Sequence, residues 1–472
     1  MLAHRSAPPA RLIVLLVLVV GLAALLVLAR PAAAATPSGK LLWTYTQAST
    51  GFNSDAISAA VAGPSGSMYA ASVMNDDWSP GESNLGTYRF RQSVGGSGPV
   101  MWSRIWDNPV EHLADWPRRV ATDAAGNLIA GGGTYTANQG VDWLIAKRSL
   151  TGAVVWTVTY DGPAHGNDYL DGVARDAAGN VYACGVQHVG PGKSDWVVSK
   201  FRASDGMLMW TYLYKGPVLP QRDNWAHALA VDSAGYSYIT GESEDATGLT
   251  DIVVMKLTPA GSVMWTDRID GPAHGADAGR GIVLRGGAVY VSAGVQPAGG
   301  GTEVRMIRYD TSGTRRWMRA WHALHDSSTT IADLAVDGAG NALVCGSASV
   351  APGKWVAYVV SWTPNGKQRW ATTWWDKKVS VKNAKFTSVV ADAAGNVWAG
   401  GSVDKTNDNG NALLVRLKPT GAVRWVRTLD GDAHGDDWFN VIVLWGTSSL
   451  FAGGSVDTTT GDWDALAARY AR

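Results

Sequence analysis

The sequence predicts an all-β chain, an eight-bladed β-propeller of four-stranded blades, and three observations carry that prediction. First, a Trp-bearing strand recurs at Trp43, Trp102, Trp156, Trp210, Trp265, Trp317, Trp370 and Trp425, with successive spacings of 59, 54, 54, 55, 52, 53 and 55 residues. A period in this range with several short strands per unit belongs to a ring of sheets. Second, the residues alternate or run β-branched, as in Val154-Val155-Trp156-Thr157-Val158-Thr159-Tyr160, where a helical repeat would place apolar residues every three to four positions. Third, the last unit ends after its third strand, Trp463 to Arg472, while a lone Trp strand, Leu41 to Thr46, precedes the first unit. Joining these two pieces closes the ring and removes two exposed sheet edges.

Taken in order, the chain opens with His4, Arg5 and Arg11 before an apolar run from Leu12 to Ala29, then Arg30-Pro31 and the small residues Ala32 to Ala35. This is the layout of a secretory signal, residues 1–35, cleaved after Ala34 or Ala35. The run is barely long enough to cross a bilayer, so a retained anchor is the alternative. Residues 36–472 form one propeller domain, expected to be a monomer with no membrane span after cleavage, and secreted or held at the cell envelope.

One unit, Trp156 to Gly206, shows the plan. A first strand runs from Tyr169 to Arg175, and the turn Asp176-Ala177-Ala178-Gly179-Asn180 follows. A second strand runs from Val181 to Gly185, a variable loop follows, and a third runs from Trp196 to Phe201. The turn Ser204-Asp205-Gly206 leads to the fourth strand around Trp210. In the D-x-x-G-N turn the Asp side chain accepts from the turn's own amides, and Gly takes the left-handed conformation. The turn recurs at Asp123 to Asn127, Asp337 to Asn341 and Asp392 to Asn396, while the units at Arg285-Gly286-Gly287 and Trp445-Gly446 have lost the Asp. First strands begin near Asp55, Trp116, Tyr169, Trp225, Arg280, Ile331, Phe386 and Trp438, which makes eight.

The run D-Y-x-x-G-V-A-x-D-A-A-G-N-V-Y-x-x-G, then D-W-V-V-x-K-F and a Trp strand, resembles the bacterial β-propeller repeat often called SBBP, over residues 41–472. The Gly-x-x-x-Trp ends, such as Gly152 to Trp156 and Gly421 to Trp425, resemble the tryptophan-docking motif of the eight-bladed quinoprotein dehydrogenases. Both likenesses concern blade packing, and the Trp column, recurring on the fourth, outer strand where an indole can wedge against the neighbouring blade, is read as girdle packing rather than a ligand platform. The second implies a quinone cofactor held beside an adjacent Cys pair. Only Cys184 and Cys345 are present, at one equivalent second-strand position three blades apart, where other blades hold Ala71, Gly131, Thr240, Ser292, Gly400 and Gly453. Two free, buried thiols in a small-residue column are expected, too far apart to pair.

The candidate site residues lie in the loops entering the first strands. His112 and Asp115, His165 and Asp168, His274 and Asp277, and His434 and Asp437 share H-x-x-D at one register. His and carboxylate on one face could take a ligand, a metal or a proton. A repeated loop also needs its turn fixed in every blade, and hydrogen bonding within the turn explains the motif more simply. Trp78, in the long Val73–Asn84 loop, is the remaining candidate contact. No cofactor is predicted. Calcium is the cation to consider, given Asn75-Asp76-Asp77 and the acidic stretch from Asp404 to Asn411, although neither has EF-hand spacing.

Composition bounds the function. Lys and Arg number 40 and Asp and Glu number 40, so no basic excess exists to pair with nucleic acid phosphates. No H-E-x-x-H, Cys/His cluster or G-x-S-x-G elbow occurs. The reading is an exported binding or scaffold protein that presents loops on one face to a protein, glycan or cell-envelope partner. A quinoprotein-like oxidoreductase, or a lyase or hydrolase at the channel mouth, is the alternative.

Overall fold

A computed structural model describes residues 39–47, 54–76, 83–95, 98–107, 114–136, 140–217, 223–323, 328–374, 383–404, 409–459 and 463–472. The expected targeting segment, residues 1–35, lies outside these. The described chain is all β apart from one short 3-10 turn, Pro64–Gly66. Among these residues no helix is long and apolar enough to cross a membrane.

Eight four-stranded antiparallel blades form the ring. Six are separate sheets, and the first and last are linked by a single parallel contact between Ser54 and Trp463. The inner strands are Ser54–Ala62, Asp115–Thr122, Tyr169–Arg175, Asn224–Val231, Ala278–Arg285, Thr329–Val336, Ala384–Ala391 and Trp438–Trp445, here blades 1 to 8. All begin within two residues of the positions read from the sequence. Blade 8 is completed from the other end of the chain: Leu41–Gln47 pairs antiparallel with Trp463–Ala471, Thr44 facing Ala468.

One local expectation needs correcting. The second and third strands of blade 3 are longer than predicted, Val181–Gly190 and Lys193–Phe201, and leave no variable loop between them. Pro191-Gly192 makes a tight hairpin there, with Gly190 facing Lys193 and Gly192 at φ 62°. Pro352-Gly353 does the same in blade 6, where Ala351 faces Lys354. Pro sets the first turn dihedral and Gly accepts the left-handed second.

The predicted turns form as expected. Asp176 takes the Asn180 amide on Oδ1 and the Asn180 side chain on Oδ2, both at 2.9 Å. The other three D-x-x-G-N turns repeat this pattern.

The Trp column is girdle packing. Trp156 donates from Nε1 to the Ala203 carbonyl of blade 3 at 3.1 Å, and its indole lies against Gly206, where a Cβ would come within 2.8 Å of the ring. Trp102, Trp210, Trp317 and Trp370 donate likewise to Leu150, Pro259, Pro364 and Pro419. Trp425 of blade 7 packs on Gly39, beside the N-terminal strand, so docking continues across the closure. Each such contact removes most of a large apolar surface from water.

Cys184 and Cys345 are free and fully buried. The former faces Gly172 and the latter Asp333 across equivalent registers, as the small-residue column requires. Burial pushes both thiols up from their ordinary value.

Candidate functional site

Each first strand is entered from one face of the ring, and the second-to-third-strand hairpins lie on that same face. Here the H-x-x-D loops sit. In blade 3 the loop closes as a turn in which the His165 amide donates to the Gly162 carbonyl at 3.0 Å. His165 takes φ 48°, and His274 and His434 take φ 50° and 54° at the same place, a left-handed backbone costly for a non-Gly residue. Each exposed imidazole reaches back four residues through Nδ1: His165 to Asp161 at 2.6 Å, His274 to Asp270 at 2.5 Å, His434 to Asp430 at 3.2 Å.

The Asp of each motif does something else. Asp168 is fully buried and accepts the amides of Gly162 and His188, the latter at 2.7 Å. Asp277 accepts from Gly271 and Gln296, and Asp437 from Gly431 and Asp457. Within each of these three motifs the His and the Asp therefore hold different partners, and the carboxylate ties the loop to the second strand. Asp115 is also fully buried, and its amide donates to the Ser83 carbonyl at 2.7 Å. His112 and Trp78 lie outside the described residues.

Two of these loops concentrate carboxylates. Ligand atoms of Asp142, Asp161 and Asp168 lie within 4.8 Å of one another, as do those of Asp251, Asp270 and Asp277. Burial, with Asp142 and Asp161 adding to it, pushes Asp168 up to about 6 against the two amide hydrogen bonds that favour its charge. Burial raises Asp277 and Asp437 as well. Such oxygen clusters are what a hard divalent cation takes.

This face has a second feature, set by how the strands pair. Every inner strand slips register against its neighbour at one shared position, where the extra residues are Ser58, Arg118, Asp171, His227, Arg280, Ala332, Thr387 and Asn440; blade 1 slips a second time, at Asp55. A β-bulge re-aims its extra side chain. Six of the eight line a central cavity of 350 Å³, and Arg118 and His227 join them through their contacts.

The ring is asymmetric. On blades 2 to 5 it is charged: Arg118 Nε meets Asp171 at 2.9 Å, and Arg280 meets His227 at 3.0 Å. Glu242 stands 3.5 Å from both His227 and Arg280. Burial pushes Glu242 up, but His227 and Arg280 more than offset this and hold it below the usual range. The Trp225 indole donates to Asp171 and lies stacked between Tyr169 and His227, with centroids 5.7 and 5.9 Å away. On blades 6, 7, 8 and 1 the same positions carry Ala332, Thr387, Asn440 and Ser58, and Asn440 donates to the Ile57 carbonyl at 3.2 Å.

One residue deeper, Arg119 of blade 2 and Asp333 of blade 6 also line the cavity, from opposite sides of the ring. Arg119 donates to the Arg118 carbonyl at 3.1 Å, and its enclosure by the channel wall, with Arg118 adjacent, lowers its pKa. Asp333 is raised by its burial, though Ser388, Val389 and Leu334 all donate to it.

A sequence signal for the bulge does exist. The inner-strand carbonyl protrudes toward the second strand, so a Cβ on Gly185 would lie 2.0 Å from the Tyr169 oxygen. Gly132, Gly241, Gly346, Gly401 and Gly454 meet the same obstacle. The second-strand Gly in V-Y-x-x-G is thus the mark of the bulge opposite.

No family model matches the chain, and no curated protein matches it. Among solved structures, it is similar to a quinohemoprotein alcohol dehydrogenase from Comamonas testosteroni, at 11% identity and a TM-score of 0.55, over 92% of this chain and 76% of that one. It is also similar to a europium-containing methanol dehydrogenase, at 10% identity and a TM-score of 0.55, over 92% and 93%. At such identities the likeness is one of fold.

Proposed function

We propose that the protein is an exported binding propeller whose ligand or partner engages the channel mouth on the face of the loop entries. One observation carries this. The repeat keeps its docking Trp and small-residue packing column, yet fills the bulge position with Ser58, Arg118, Asp171, His227, Arg280, Ala332, Thr387 and Asn440. A position that only packed would keep one kind of side chain; one that recognises an asymmetric ligand varies around the ring. The H-x-x-D loops support the mouth by fixing the strand entries. Export rests on the N-terminal segment, and the partner classes are a protein, a glycan or an envelope component.

Oxidoreductase chemistry is the second reading, supported by the fold likeness. The adjacent Cys pair it implies is not in the sequence, and the described cavity lining holds no aromatic ring to stack on a flat quinone. The residues present do not fit that cofactor.

The test is a melting screen of the full chain against quinone, calcium and glycans, since a ligand that binds only the folded state raises the melting temperature. Arg118→Ala combined with Asp171→Asn removes a charge pair together, leaving no lone buried charge. A ligand that engages the channel mouth is expected to lose its stabilising effect in the double variant. Stabilisation that survives unchanged would place recognition elsewhere.

A further inference from the structure

We propose a second site on the same face, a pocket for a neutral sugar between blades 4, 5 and 6; it rests on reading this face as the binding face. The starting point is a break in the repeat. The residue two before the bulge is Trp438 in blade 8, Trp116 in blade 2, Tyr169 in blade 3 and Trp225 in blade 4, but Ala278 in blade 5, Thr330 in blade 6, Lys385 in blade 7 and Ala56 in blade 1. Where the ring is present it covers this part of the face: Trp225 of blade 4 lies against Tyr169 of blade 3 and its own His227, Trp438 stands edge-on to Trp463 of the same blade at 5.3 Å, and Trp116 covers Gly133 of its own blade. In the adjacent blades 5 and 6, where it is missing, a pocket of 400 Å³ opens, with Ala278 and Thr330 in its wall. That is within the range of small-molecule sites, roughly 300–1,000 Å³.

The lining selects the chemistry. Glu242 and Arg280 reach the pocket from blades 4 and 5, together with Thr250 and Thr302. The hydroxyls of Thr250 and Thr302 have no hydrogen-bond partner among the described residues, so each offers a donor and an acceptor to a ligand. Glu242 is an acceptor and Arg280 a donor, and they stand 3.5 Å apart. Because they offset one another, an anion would face the carboxylate and a cation the guanidinium, whereas neighbouring hydroxyls of a polyol satisfy both at once. Ala278 and Ile331 give the apolar wall that the C–H face of a sugar ring needs. No aromatic residue lines the pocket among the described residues, which disfavours a nucleobase or other flat ligand.

The experiment measures binding of glucose, galactose, mannose, N-acetylglucosamine and glucuronate to the full chain by calorimetry and by melting shift. At least one neutral sugar is expected to bind, and better than glucuronate. Ala278→Trp installs the residue that three other blades carry here and is expected to weaken that binding by roughly tenfold or more. Glu242→Gln removes the acceptor charge without changing shape, is expected to weaken binding as well, and decides the matter if the Trp variant does not fold. The channel pair Arg118→Ala with Asp171→Asn is expected to leave sugar binding intact. No neutral sugar binding, tighter binding of glucuronate, or affinity unchanged in both pocket variants overturns the proposal. Binding lost only in the channel pair also overturns it, while leaving the channel-mouth function standing.

Discussion

Replacing two glycines with alanine separates the cost of a left-handed backbone from the cost of disturbing the Trp girdle. Gly179 and Gly206 have φ of 83° and 74°, so a Cβ at either imposes a similar conformational penalty, about 1 kcal/mol. Their surroundings differ. A Cβ on Gly179 meets only the Ala203 Cβ at 3.5 Å, an ordinary contact. A Cβ on Gly206 lies 2.8 Å from the Trp156 ring and 2.9 Å from Val158. Trp156 cannot withdraw freely, because its Nε1 donates to Ala203 and its ring is buried in the blade 2–blade 3 core. Overpacking of this kind adds roughly 1–3 kcal/mol. Gly179→Ala is therefore expected to lose about 1 kcal/mol and Gly206→Ala roughly 2–4 kcal/mol. Urea unfolding followed by Trp fluorescence measures both, with unchanged m-values required for the comparison. Equal losses would show that docking adds nothing beyond backbone conformation, and the girdle account would fail.

Two further predictions concern buried groups. Asp168 has its pKa raised from 3.8 to about 6 in the folded chain, so the folded form binds its proton more tightly. Its stabilising contribution is full below 3.8 and is lost as pH climbs through about 6, a span worth about 3 kcal/mol. Asp168→Asn is expected to flatten that part of the stability–pH curve, and an unchanged curve would show that the residue does not titrate there. Cys184 and Cys345 should resist alkylation in the native chain and take two alkyl groups once denatured without reductant; mass spectrometry reads this, and no labelling would mean that they are paired.

The ring was legible because its parts are local. Trp spacing, the D-x-x-G-N turn and the unmatched strands at the two ends each report on neighbouring chain, and together they set blade number and closure. The Pro191-Gly192 hairpin was missed, because differing loop lengths between blades obscured its Pro-Gly turn signal. The H-x-x-D loops drew notice because their residues recur, and recurrence marks structural roles: His165 holds its own turn, and Asp168 ties the loop to the second strand. The bulge residues escaped because they do not recur. Arg118, Asp171, His227 and Arg280 share a position only once the strands are paired. Their marker was a glycine on the facing strand, Gly185 in blade 3, whose reason is a carbonyl that no sequence displays. The missing pillars at Ala278 and Thr330 likewise become meaningful only when the blades stand side by side.

Ring closure brings the bulge residues to one mouth, and a single cross-link tests it. Thr44 and Ala468 face each other across the N- and C-terminal strands of blade 8. Thr44→Cys with Ala468→Cys is expected to form an intramolecular disulfide under mild oxidation, since facing strand residues are within bridging range. Peptide mapping of the oxidised chain should recover the joined segments. Both introduced thiols remaining free, or linking separate chains, would contradict a closed eight-bladed ring.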